Sequence, residues 1–167
     1  MIYIVGCHHG IQPQASMLTA CDPSDQNRQR GHFKDMLRQI FKEDGIQFVF
    51  EEAGDVEETI TQHLAAQFNL PWKDINTSNA DKDRLGIPRY YVQEPYTNEQ
   101  KNRWNQLREK FMLGRINEYR SCAQNLLIIC GFDHVDSLAA SLGNDGIRIR
   151  RVDYRTLEWY QEGVFDT

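Results

Sequence analysis

The chain has 167 residues, of which 26% are charged and 11% aromatic; this excludes a disordered chain, and the length suffices to bury a core without disulfides or a structural metal. The net charge of −5 is spread along the sequence, which argues against nucleic acid as a partner, and Arg148, Arg150, Arg151 and Arg155 form the one basic cluster. No apolar stretch reaches the roughly 18 residues of a membrane span and the first residues lack the form of a signal peptide, so a cytoplasmic protein with no membrane partner is expected. Cys7, Cys21, Cys122 and Cys130 contain no Cys-x-x-Cys pair and read as reduced thiols.

Taken in order, residues 2–9, IYIVGCHH, read as a buried strand that breaks at Gly6. Residues 10–30 are polar, contain Pro13 and Pro23 and show no period, which predicts a long loop. Phe33, Met36, Leu37, Ile40 and Phe41 fall at helical spacing, and Gly45 closes that helix. Residues 46–50, IQFVF, form the next strand and run directly into Glu51 and Glu52. Asp55 is placed to cap a second helix with Val56, Ile60, Leu64 and Phe68 on its apolar face, ending before Pro71. Residues 72–97 are polar and turn-rich, with a short strand near 90–92, and read as a loop or lid inserted into a single domain spanning 1–167.

Asn98 is placed to cap a long third helix with Trp104, Leu107, Phe111 and Ile116 in one stripe. Residues 126–134, LLIICGFDH, repeat the opening pattern of an apolar run, a glycine and a histidine three positions on. A short helix follows with Val135, Leu138, Ala139 and Leu142 on one face, stopped by Gly143, and residues 147–154 read as a last strand. Strands alternating with helices predict an α/β fold with a mainly parallel central sheet of about four to five strands, flanked by helices. Right-handed crossovers then bring the strand ends at Gly6, Glu51 and Gly131 to one edge, where ligands bind in such sheets.

Three strand ends supply chemistry at that edge: His8 and His9, Glu51 and Glu52, and Asp133 and His134. Two imidazoles and a carboxylate, with His9, His134 and Glu51 or Glu52 as the ligands and Glu51 taken first, suit an open site for divalent zinc, manganese, cobalt or iron. Such a metal activates a water and polarises a carbonyl, and the second glutamate then serves as general base. Taken singly, each residue has a plainer role: a histidine hydrogen-bonding at a strand end, a glutamate starting a loop, Arg108 and Glu109 on a solvated helix face, Cys7 filling space. His32 and His63 have no supporting context and read as surface or packing residues.

The residues resemble the superfamily of erythromycin-esterase-like proteins, TraB and Tiki proteins and the haem-binding ChaN. The matches are Gly6-Cys7-His8-His9, Glu51-Glu52, Arg108-Glu109 followed by Met112 and Ile116, and Gly131-Phe132-Asp133-His134. The resemblance implies that His9 and His134 are the paired histidines, Glu51 or Glu52 the acid, and Arg108 a helix arginine steadying carboxylates or an oxyanion. Cys7 stands where that family often has Glu or Thr. The expectation is therefore a metal-dependent hydrolase of an amide or ester bond, acting on a small molecule or peptide. Its catalytic residues would be Glu51, Glu52 and Arg108, with Cys7, His8 and Asp133 as further site candidates. The alternatives are a non-catalytic binder of haem or another small ligand, a regulatory protein that holds a partner through its basic surface, and a metal-free acid–base site.

Overall fold

The computed structural model describes residues 1–13, 23–53, 58–89, 96–143 and 148–160. Five strands, β1 (Ile2–Cys7), β2 (Phe48–Glu51), β3 (Trp72–Asp74), β4 (Leu126–Gly131) and β5 (Ile149–Asp153), form one sheet in the order β3-β2-β4-β1-β5. All of its pairings are parallel, so the α/β expectation holds. The helices are α1 (Pro23–Glu43), α2 (Ile60–Gln67), α3 (Asn79–Leu85), α4 (Asn98–Tyr119) and α5 (Val135–Gly143). None of the described helices is long and apolar enough to cross a membrane.

Every residue of β1, β2 and β4 is buried, because helices cover both sides of the sheet, and strands in that position carry apolar residues without alternation. The pleat sends neighbouring residues to opposite faces. Tyr3, Val5, Cys7, Val49, Leu127 and Ile129 pack with Phe33, Leu37 and Phe41 of α1 and Ile60 and Leu64 of α2. Ile2, Ile4, Phe48, Phe50, Leu126, Ile128 and Cys130 pack with Met112 and Ile116 of α4 and Val135, Leu138, Ala139 and Leu142 of α5.

Several element boundaries differ from expectation. Helix α1 begins at Pro23, ten residues before the apolar stripe, because Gln26, Gln29 and Arg30 are buried polar side chains that carry no hydrophobic period. Thr59, rather than Asp55, caps α2: its hydroxyl accepts from Gln62 N at 2.9 Å; Asp55 and Val56 lie outside the described residues. Thr97 caps α4 in a reciprocal capping box with Gln100. Its buried stripe is Trp104, Met112 and Ile116, with Leu107 and Phe111 only half-buried. The span 72–97 contains β3 at the sheet edge and α3, which is capped by Ser78 with Asp81 and ended by Gly86 at φ 68°. The strand expected near 90–92 and the start of the last strand at Ile147 lie outside the described residues.

The register pairs Cys7 with Gly131 and Glu51 with Ile129, so the ends of β1, β4 and β2 stand side by side at one edge. The 3-10 turn after β4 (Phe132–His134) presses against β1 closely enough that a Cβ on Gly6 would meet Val135 Cγ2 at 2.5 Å and Phe132 Cδ1 at 3.3 Å. Gly6→Ala is therefore expected to cost about 2 kcal/mol of unfolding free energy through overpacking. Gly31→Ala, where a Cβ meets nothing within 4 Å inside α1, is expected to add about 1 kcal/mol from helix propensity. Denaturant unfolding of the two variants checks both signs.

Candidate functional site

The centre of the carboxyl edge is Glu52, whose side chain is 1% exposed. It follows β2 directly and its N–H donates to Ile129 O at 2.8 Å. By pleat alternation it lies on the face of Phe48 and Phe50, toward α4. Arg108 Nη2 donates to its Oε1, and Gly131 N donates to its Oε2 at 2.9 Å. His134 Nε2 stands 3.6 Å from Oε1 and His9 Nε2 3.8 Å from Oε2. Arg108 reaches inward because it falls four residues after Trp104 and four before Met112, on the buried stripe of α4.

Both imidazoles are held from behind. His134 Nδ1 contacts Glu109 Oε1 at 2.9 Å, and a carboxylate there fixes the proton on Nδ1. His9 Nδ1 lies 3.2 Å from Gln12 Oε1, while Gln12 Nε2 donates to Glu52 O at 3.1 Å. That commits the amide oxygen of Gln12 to accepting, so His9 Nδ1 carries the proton and its Nε2 has the lone pair when the ring is neutral. Gly131 makes room for this arrangement: a Cβ there would sit 3.0 Å from His9 Nε2 and 3.6 Å from Glu52 Oε2. The glycine is required for close approach, with φ at an ordinary −60°.

The two adjacent glutamates are in opposite electrostatic states. Burial opposes ionisation of Glu52, but His9, Arg108 and His134 together, with the Gly131 N–H, outweigh it and hold the carboxyl below its usual value. Glu51 points to the other face, toward Thr59 and Trp72, whose side chains donate to its Oε2 at 2.6 and 2.8 Å. Burial pushes its pKa up to about 7, against the pull of those two hydrogen bonds. Cys7 borders the cleft but is fully buried, and burial raises its thiol well above the usual value, which disfavours the thiolate.

The site opens into a cleft of about 400 Å³ lined by His8, His9, Lys101, Asn105, Arg108, Phe132, Asp133 and His134, with Cys7 and Gly131 at its base. The structure thus gathers His8, His9, Glu52, Arg108, Asp133 and His134 and leaves Glu51 behind the sheet. Gln12, Lys101 and Asn105 were not anticipated. Lys101, Asn105 and Arg108 share one helix face at i, i+4, i+7, a signal available once Arg108 is chosen; Gln12 has none. His32 stacks on Trp159 at 5.6 Å and His63 bonds Gln67 at 2.9 Å, packing and surface roles as expected. In the basic cluster, Arg150, Arg151 and Arg155 pair with Asp44, Asp136 and Asp153.

The metal expectation is corrected. Among the described residues no group of three or more His, Cys, Asp or Glu side chains is disposed to hold a metal ion. The physical reason is visible in the donor set: Arg108 and Gly131 occupy the Glu52 oxygens, and Glu51, expected as a ligand beside His9 and His134, faces away. The metal-dependent hydrolase of amide or ester bonds, and with it divalent zinc, manganese, cobalt or iron as cofactor, is set aside on this finding. Fold and site together define an α/β protein with a histidine-bearing cleft at the carboxyl edge of a parallel sheet. No family model matches the chain, and no curated protein or solved structure is significantly similar to it.

The raised Glu51 gives a pH prediction with a definite sign. A folded-state pKa of about 7 against about 4.3 unfolded means that the native state binds the extra proton between those values. Its contribution to stability is fully present below the unfolded value and is lost as pH rises through about 7, a full swing of about 4 kcal/mol. Glu51→Gln removes the titration, so denaturant unfolding at pH 5 and pH 8 should show the wild type losing about 3 kcal/mol relative to the variant. An unchanged difference between the two pH values means that Glu51 is already ionised in the fold.

Proposed function

We propose that the cleft binds a small polar anion and that His9 takes up a proton from solvent as the anion binds, without a metal. The observation that supports this reading most directly is the setting of His9. Its Nδ1 is held by Gln12, its Nε2 faces the Glu52 edge, and its side chain is 49% exposed at the mouth of the cleft. An imidazole held at Nδ1, with its Nε2 beside a carboxylate and its side chain half exposed, is suited to general acid–base work. Arg108 is committed to Glu52, so its role is to keep that carboxylate ionised beside the two rings. Lys101 brings an ammonium to the same cleft, and a compact ammonium is suited to hold a ligand carboxylate or phosphate as a point charge.

The likeness to the erythromycin-esterase-like, TraB and Tiki superfamily is kept as part of this proposal, for the descent of the site. It is supported by the meeting of Gly6-x-x-His9, Glu52, Arg108 and Gly131-x-x-His134 at one carboxylate.

Calorimetric titration with inorganic phosphate and a panel of small carboxylates, each in two buffers of different ionisation enthalpy, tests the proposal. Binding accompanied by proton uptake is expected. Lys101→Ala should weaken it by about tenfold to a hundredfold, the worth of one charge-assisted hydrogen bond. His9→Ala should bind within a few-fold of wild type but abolish the proton uptake. No binding by any member of the panel, or uptake that persists in His9→Ala, overturns the reading.

A further inference from the structure

Asn105 and Asp133 stand at one side of the cleft. On their far side lies a second hollow of about 480 Å³, lined by Asn102, Asn105, Gln106, Glu109 and Asp133. Two lining residues, Asn105 and Asp133, belong to both hollows, so the two adjoin at these side chains. The helical repeat of α4 explains the division. Lys101, Asn105 and Arg108 form one file at i, i+4, i+7, and Asn102, Gln106 and Glu109 form the adjacent file with the same spacing.

The two hollows differ in chemistry. The first carries Lys101, Arg108 and three histidines; the second carries three carboxamides and two carboxylates, with no cation and no apolar side chain among the described residues that line it. A ligand portion lying there gains nothing from being hydrocarbon and is repelled if it is anionic. Each carboxamide offers two N–H donors and one acceptor oxygen, and the carboxylates only accept. Of the two carboxylates Glu109 is engaged with His134 through Oε1. The lining therefore asks for a group that both donates and accepts at closely spaced positions, with donation in surplus. Vicinal hydroxyls have that pattern. Planar carboxamide and carboxylate side chains meet such hydroxyls with pairs of hydrogen bonds.

We infer that the ligand is a polyhydroxylated anion, a sugar acid or sugar phosphate in chemical class, with its charged end at Lys101 and His9 and its hydroxyls on Asn102, Asn105, Gln106 and Asp133. This rests on the anion-binding reading above and deepens it by naming the rest of the ligand. Asp133, at the junction, selects against a second negative charge beyond the first hollow, so a neutral hydroxylated tail is favoured over a dianion extended along the groove.

The experiment uses matched pairs of probes on the full chain: gluconate against acetate, and ribose phosphate against inorganic phosphate. The hydroxylated member of each pair should bind at least about tenfold tighter, the worth of one or two net hydrogen bonds. The double variant Asn102→Ala/Gln106→Ala, confined to the second hollow, should lose that advantage while binding acetate and inorganic phosphate as the wild type does, with circular dichroism confirming its fold. Lys101→Ala should weaken both members of a pair alike. If the simple anions bind and the hydroxyls add nothing, or if the double variant keeps the advantage, this inference is overturned and the anion site stands. If neither simple nor hydroxylated anions bind, both fall together.

Discussion

Burying the carboxylate of Glu52 is the constraint on which the site depends. Removing an ion from water costs several kcal/mol even after the protein relaxes, and the cost must be met by partners with good geometry. Here those four partners come from three distant parts of the chain: a backbone N–H at Gly131 and an imidazole at His134 just after it, a guanidinium at Arg108, and an imidazole at His9. They can meet because β4 lies between β1 and β2 in the sheet. This strand order sets the loop after β4 over the ends of its two neighbours. Changing any one partner therefore acts on all the others through a single shared charge.

The contrast between Glu51 and Glu52 shows how little sequence distance means here. Both are glutamates, both are nearly free of solvent, and they are adjacent. One pleat step turns Glu51 toward a hydroxyl and an indole, neutral donors that only partly offset burial, and its pKa rises to about 7. The same step turns Glu52 toward three basic side chains, which hold it ionised. A metal reading needs a carboxylate with uncommitted oxygens between two imidazoles. The fold instead supplies a carboxylate already bridged by Arg108, and that substitution of a guanidinium for an ion is what changes the chemistry assigned to the cleft.

Helix α4 does two jobs through one repeat. Its inward stripe at four-residue steps, Trp104, Arg108, Met112 and Ile116, mixes core packing with the cation that Glu52 requires. The long aliphatic stem of arginine lets a charged residue occupy such a position. The adjacent files carry the polar side chains that line the two hollows. A search for apolar stripes assigns Leu107 and Phe111 to the core and passes over the arginine at the stripe's centre, so the helix itself is legible while its buried face is not.

The sequence alone determined much of the architecture. β1, β4 and α5 are legible because strands covered on both faces must be apolar throughout, and because a short amphipathic helix shows its period plainly. The repeated Gly-x-x-His, the acidic pair and Arg108 are also local signals, and all three meet at the carboxyl edge. Helix α1 was half hidden, since its first three turns bury glutamines and an arginine in place of apolar residues. Only the tertiary structure decided which glutamate belongs to the site, that Gln12 and Glu109 hold the imidazoles, and that Arg108 takes the place expected for a metal. Those outcomes depend on the face of a pleat, the order of strands and contacts between residues as far apart as Glu52 and Gly131, and no local pattern of side chains encodes them.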